Sequence, residues 1–283
     1  MTPRYNAMTV DVEDYFQVSA FEHHIDRAEW PHLPSRVEAN VDRVLALLSE
    51  AGAKATFFTL GWIAERYPQM VRAIVAAGHE LASHGYAHWR ASAQTRAQFG
   101  HDITVSKALL EQIAGVPVRG YRAPCFSIGP KNLWALDILH EAGYAYSSSI
   151  YPIRHDHYGT PDAPRFAHRP SGQDGLLELP LSTVRIASRN WPAAGGGYFR
   201  LIPYWLARRL ILRINQQDGQ PAIFYFHPWE LDPTQPRQSG LNWQTRTRHY
   251  LNLHRMEQRL TRLLHDFKWD RIDHIFLERP WQT

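Results

Sequence analysis

Met8-Thr9-Val10-Asp11-Val12-Glu13-Asp14 is a β-branched run that ends in three carboxylates within four residues. Strand alternation puts Asp11 and Glu13 on one face, and Val10 and Val12 bury the segment. Working outward, short strand-like runs alternate with helical patterns, which predicts βα units around a parallel sheet or barrel. A helix with apolar face Val37, Val41, Val44, Leu45 and Leu48 is opened by a capping box of Ser35 with Glu38 and closed by Gly52. A strand over 55–60 follows, then a helix through Met70, Val71, Ile74 and Val75, and a strand over 80–83 running into His84. Helices are predicted at 95–114, 131–142, 203–217 and 254–267, with strands at 118–121, 144–148, 223–226 and 275–277. The stretch 151–200 reads as long loops around one strand at 177–179, a length that usually carries function. Without repeats or a linker, the reading is one α/β domain over 1–283, with an extension from about residue 230.

The balance of 44% hydrophobic and 20% charged residues is that of an ordinary globular chain of 283 residues. A net charge of +4 with scattered arginines is a weak argument for an anionic surface nearby, and no nucleic-acid signature accompanies it. The single cysteine, Cys125, excludes an intramolecular disulfide and a cysteine-only zinc site. The opening residues Met1-Thr2-Pro3-Arg4-Tyr5-Asn6 lack the apolar stretch of a signal peptide, and nothing approaches the ~20 apolar residues of a membrane span. The expectation is a soluble cytoplasmic protein whose membrane association, if any, is peripheral.

In a βα barrel the reacting groups stand at the C-terminal ends of strands. Asp11, Glu13 and Asp14, His84 and His88, Arg122, and His227 all fall at such ends. In His84-Gly85-Tyr86-Ala87-His88 a helical turn would place both imidazoles on one face, able to share a metal. Two histidines and a carboxylate leave coordination positions open for water and substrate. Three crowded carboxylates also call for a cation or an arginine among them. Glu13 and Asp14 both compete for the third ligand place, and the strand face favours Glu13. Arg122, in the rigid turn Arg122-Ala123-Pro124, could hold Asp11 ionised, and His227 suits a general acid.

Taken together and in this order, the matches Asp11-Val12-Glu13-Asp14, His84 to His88, Arg122-Ala123-Pro124 and Phe226-His227-Pro228 resemble the polysaccharide deacetylases. This is carbohydrate esterase family four, whose shared unit is the NodB homology domain. The phrases Val10-Asp11-Val12-Glu13-Asp14-Tyr15-Phe16, Phe226-His227-Pro228-Trp229-Glu230 and Arg248-His249-Tyr250-Leu251-Asn252-Leu253 look like a subfamily of exopolysaccharide and exosortase-associated gene clusters. The resemblance implies a distorted (β/α)7-type barrel and N-deacetylation of an amino sugar in a polysaccharide or lipid-linked precursor. It also implies a divalent metal, zinc above others, on Glu13 or Asp14, His84 and His88. Asp11 would be the base, Arg122 its support and His227 the acid, with a backbone N–H near Arg122 or Tyr151 at the oxyanion. Where the family often has an aspartate to orient the acid, this chain has Ser147-Ser148-Ser149, which leaves the partner of His227 open, with Glu230 a candidate substitute.

Tyr151, Trp191, Tyr198, Trp229 and Trp243 are candidates to line or stack on sugar rings, although most of the 10 tryptophans must be structural. Gly195-Gly196-Gly197 lacks the lysine of a phosphate loop and reads as a flexible rim loop. A nucleophilic Cys125 would leave the histidine pair and acid cluster without a task. Hydrolysis of cyclic amides or O-acetyl groups, and a silent sugar-binding role, are the rival functions.

Overall fold

The computed structural model describes residues 5–155, 158–170, 172 and 175–278, so Met1–Arg4 of the leader reading lies outside the described residues. Strand β1 (Tyr5–Val12) leads to α1 (Val37–Glu50), β2 (Thr56–Thr59), α2 (Gly61–Arg66), α3 (Pro68–Ala76), β3 (Glu80–Ser83), α4 (Arg96–Ala114) and β4 (Gly120–Tyr121). Then come α5 (Trp134–Glu141), β5 (Tyr146–Ser147), β6 (Leu177–Glu178), the hairpin β7 (Thr183–Ile186) and β8 (Arg189–Pro192), and α6 (Gly196–Leu201). Helix α7 (Tyr204–Gln216), β9 (Ile223–Phe226), α8 (Trp243–Tyr250), α9 (Leu253–Asp266) and β10 (Lys268–Asp270) complete the order.

The main sheet is parallel and runs β1-β2-β3-β4-β5-β6, with β9 and β10 both pairing β1. Sheet pairing links each neighbour from β1 to β6, and the curled sheet with its helices is the distorted (β/α)7-type barrel expected. Residues Ala7–Val12 of β1 are all buried, the signature of a parallel strand covered on both faces. Helix α1 packs one side through Val37, Val41, Val44, Leu47 and Leu48, and the apolar face of α9 (Met256, Leu260, Leu263, Leu264) joins the same core. No helix among the described residues is long and apolar enough to cross a membrane.

Several local expectations are corrected. Residues 274–278 form a π-helical turn, not a strand, and the sheet's last strand is β10, from 268 to 270. Its place beside Tyr5, Asn6 and Ala7 of β1 is a pairing that no local pattern announces. The stretch 151–200 also holds the β7–β8 hairpin and α6. At α1 the capping box does not form. Asp14 takes its place: Oδ2 accepts from Arg36 N (2.8 Å), Val37 N (3.1 Å) and Ser35 Oγ (2.7 Å), while Oδ1 accepts from Tyr15 N. A carboxylate from the strand end thus satisfies the free N–H groups of the helix that follows and complements its dipole.

Asp14→Ala is therefore expected to cost about 1–2 kcal/mol, the upper range for losing a helix cap. Urea unfolding should show a lower midpoint at an unchanged slope.

Candidate active site

The Asp11 carboxylate is buried against a guanidinium that is buried completely: Arg122 Nη1 stands 2.6 Å from Asp11 Oδ1. The same Nη1 donates to Thr9 Oγ1, Nε to the Ser148 carbonyl and Nη2 to Ser148 Oγ. Phe58 presents its ring face 4.1 Å from the guanidinium carbon. Ser149 Oγ accepts from Ala123 N, and Glu178 Oε1 accepts from the N–H groups of Ser149 and Ile150. Ser148 and Ser149 therefore serve Arg122 and its turn, and Ser147 donates to Ser149 Oγ. They are not partners of His227.

His84 and His88 come together with ring centroids 5.4 Å apart, but the segment between them is not helical. Gly85 at φ 74° and His88 at φ 53° are left-handed, and the carbonyls of Gly85 and Tyr86 accept from Gly61 N and Trp62 N at the start of α2. Those carbonyls are spent on a neighbouring helix instead of on an internal turn. Gly85 is required twice over: its φ disfavours a side chain, and a Cβ would meet Asp102 Oδ2 at 2.9 Å. Asp102 of α4 accepts from Tyr86 N, and Arg27 donates to the carbonyls of Ala87 and His88. His84 Nδ1 donates to the Arg122 carbonyl at 2.8 Å, so its Nε2 is the unprotonated nitrogen, as in a metal-binding histidine with its outer partner.

Glu13 joins these elements. Its Oε2 is 3.0 Å from His88 Nε2 and its Oε1 is 3.1 Å from His227 Nε2. On the far side of His227, Nδ1 stands 2.9 Å from Glu230 Oε1. Burial pushes the Glu13 carboxyl up to about 7 against the pull of His227, and Asp11 adds to the rise. Burial lowers His84 to about 4 and His88 well below its usual value, keeping both neutral. For His227 burial again opposes charge, but Glu13 and then Glu230 overcome it and raise the imidazole to about 9.

A divalent cation fits this donor set in its chemistry. Glu13 Oε2 is buried without an aligned hydrogen bond, beside two imidazoles already in the ligating neutral form. Among the described residues no three such side chains stand as a ready cage; Glu13 instead bridges two imidazoles. Asp14 is not a contender, since α1 occupies it.

The proposed sugar-contact residues part company. Tyr151 is fully buried, its hydroxyl donates to the Ala194 carbonyl, and its ring stacks on Tyr158 at 6.1 Å. Trp229 is buried too, stacked between His227 (5.2 Å) and His249 (4.4 Å). Both are walls, correcting their reading as sugar platforms. Tyr198 is half-buried at the Tyr158–Tyr225 cluster, and Trp191 and Trp243 are exposed. Cys125 has its thiol pushed up to about 12 by burial, which disfavours a thiolate nucleophile. Sequence reading missed Arg200, which donates to Glu230 Oε2 at 2.7 Å, and Asp102. The glycine run before Arg200 was the available signal. Its residues Gly195 and Gly196 are not a loose rim, because a Cβ on either would overlap Tyr225 or Glu230.

Residues 30–147 match the family model described as Polysaccharide deacetylase, and residues 148–277 match one described as Domain of unknown function (DUF3473). The chain is 31% identical over 146 residues to a chitooligosaccharide deacetylase of Sinorhizobium fredii, covering 51% of this chain and 61% of that one. It is 30% identical over 113 residues to a peptidoglycan deacetylase of Helicobacter pylori, covering 40% and 38%. The matched region thus spans about two to three fifths of these curated relatives. A solved Mycobacterium smegmatis protein named for the polysaccharide deacetylases has a TM-score of 0.63 at 21% identity, covering 97% of this chain and 93% of that one. A Bacillus anthracis carbohydrate esterase family four pseudoenzyme has a TM-score of 0.52 at 13% identity, covering 97% and 66%. These two likenesses show the fold.

Asp102 tests the support of the histidine turn. Burial raises its pKa from 3.8 to about 6, against the Tyr86 N–H. The folded chain therefore keeps a proton that the unfolded chain releases, and this group's contribution to stability falls as pH rises from 3.8 to about 6. In Asp102→Asn the slope of unfolding free energy against pH across that window should be more positive than in the wild type, measured by urea titrations at a series of pH values.

Proposed function

We propose that this chain, whose residues 30–147 carry a polysaccharide deacetylase domain, is a metal-dependent hydrolase that removes N-acetyl groups from amino sugars. The substrate is a polysaccharide or its precursor, and the cellular setting is exopolysaccharide synthesis. The observation that carries this reading is the convergence of Asp11–Arg122 and His88–Glu13–His227 at the C-terminal ends of β1, β3, β4 and β9.

His84, His88 and Glu13 would hold the ion, with zinc the leading choice for two imidazoles and a carboxylate. When bound, such an ion polarises the amide carbonyl and lowers the pKa of water toward ~7. Asp11, aimed by Arg122, accepts the proton of the attacking water. His227 delivers a proton from Nε2 to the departing amine, while Glu230 holds Nδ1. The C–N bond breaks, and acetate and a free amine leave. A silent sugar-binding protein of the same fold would not need the base, its buried arginine and the acid together, and the intact set favours an enzyme.

Purified full-length protein should carry about one zinc per chain and release acetate from N-acetylated oligosaccharides with appearance of a primary amine. His84→Ala and His88→Ala should each lose the metal while staying folded, whereas Asp14→Asn should keep it. Full metal occupancy in both histidine variants would sink the site. Asp11→Asn should retain metal but turn over about 10²–10⁴-fold more slowly, the usual cost of a missing general base. Near-normal turnover in that variant would refute the mechanism, and acetate release without a new amine would point to O-deacetylation.

A further inference from the structure

His227, Glu230 and Arg200 all lie in the part of the chain, 148–277, that matches a domain of unknown function. Arg200 is 2% exposed and Glu230 is fully buried. Glu230 spends Oε1 on His227, accepting from Nδ1 (2.9 Å) and from the backbone N–H (3.1 Å), and spends Oε2 on Arg200 Nε (2.7 Å). The other guanidinium nitrogens of Arg200 donate to the carbonyls of His249 (2.9 Å), Leu251 (2.6 Å) and Arg248 (3.3 Å). Those carbonyls close the C-terminal end of α8, where a cation is favoured by the helix dipole. The backbone of Arg200 is pinned in turn, its carbonyl accepting from Asn252 Nδ2 (2.8 Å) and Arg259 Nη1 (3.0 Å).

The close approach is built into the backbone. A Cβ on Gly196 would lie 2.0 Å from Glu230 Oε1 and 2.3 Å from Oε2, and one on Gly195 would lie 2.5 Å from the Tyr225 ring. The glycines let the α6 backbone sit directly over the carboxylate. A second path from α8 reaches the same imidazole through stacking: His249 on Trp229 and Trp229 on His227, with interplanar angles of 15° and 19°. His227 is thus fixed in tautomer by Glu230 and in ring plane by Trp229, and both supports end on α8.

We propose that Arg200 is a positioning residue for His227, acting through Glu230, and that α6 and α8 form a clamp that completes the active site. The physical reason is that a carboxylate buried on every side is costly unless paired. Arg200 Nε takes Oε2 at 2.7 Å and so fixes the carboxylate plane, which leaves Oε1 aimed at Nδ1 and the backbone N–H of His227. With Nδ1 held in this way, Nε2 is the nitrogen turned toward the rim to serve the leaving amine. The inference rests on the reading of His227 as proton donor.

The test compares wild type, Arg200→Met, Arg200→Lys and Gly196→Ala in the full chain, each confirmed folded by circular dichroism. The first readout is the His227 Nδ1–H proton in ¹⁵N-histidine NMR spectra, assigned with His227→Ala. It should be slowly exchanging in wild type, lost to exchange in Arg200→Met, and partly recovered in Arg200→Lys. The second is acetate release from N,N′,N″-triacetylchitotriose. Arg200→Met should lower kcat on the order of 10–100-fold, the range for outer partners of functional histidines, with KM within about twofold. If Arg200→Met does not fold, Gly196→Ala must show the same proton loss by displacing Glu230. An unchanged, slowly exchanging proton in the folded variants overturns the proposal, as does an unchanged kcat in an active enzyme. If wild type releases no acetate, the deacetylase reading fails separately, and the Nδ1–H signal alone decides whether Arg200 positions His227.

Discussion

A guanidinium with no exposed surface, Arg122, is the constraint on which the site depends. Burying an ion pair costs several kcal/mol per ion unless geometry and hydrogen bonds compensate. At Arg122, which stands just past β4, the compensation comes from two other strands: Asp11 and Thr9 of β1, and Ser148 just beyond β5. The carbonyl of the same residue orients His84. Any slip of one strand would strand a charge in a low-dielectric interior, so the pair that aims the proposed base also holds the strand ends in register.

Glu13 is the second junction, and its electrostatics differ. Asp11 has a permanent cation at 2.6 Å, whereas Glu13 stands between two imidazoles, one kept neutral by burial and one whose charge Glu13 and Glu230 favour. Two carboxylates two residues apart are thereby given unlike environments, which is how one strand end can supply both a proton acceptor and a cation ligand. The third acid of the run, Asp14, is withdrawn from this chemistry by three hydrogen-bond donors at the start of α1 and by the N–H of Tyr15.

Strand β1 precedes both family-model segments, 30–147 and 148–277, and pairs with a strand of each. Strand β9 pairs with β1 over Ala7 to Val10, which carries His227 to Glu13 across more than two hundred residues of chain. The proposed acid His227 and its buried supports come from residues 148–277, and Asp11, Glu13, His84 and His88 come from the β1 to β4 side. The proposed proton path draws on both segments and on Asp11 and Glu13, which lie outside them.

Chain order and strand-end chemistry were legible from residue types. A β-branched run buries a strand, and polar groups at several strand ends of a parallel sheet must share one rim, so Asp11, Glu13, His84, His88, Arg122 and His227 could be placed together without coordinates. What depended on donors distant in sequence could not. The spacing of His84 and His88 suggested a helix, but the N-terminus of α2 takes the carbonyls such a helix needs. Ser35 and Glu38 spell a capping box, yet Asp14 reaches the same N–H groups first. Aromatic residues near the rim looked alike until packing stacked Trp229 between two histidines and buried Tyr151. The glycine run read as freedom because sequence does not reveal that Glu230 and Tyr225 occupy the space a side chain would need. The sequence by itself determined which chemical groups were available and in what strand order. Only the tertiary structure decided which partner each buried group spends its hydrogen bonds on, because that competition is settled between elements far apart in the chain.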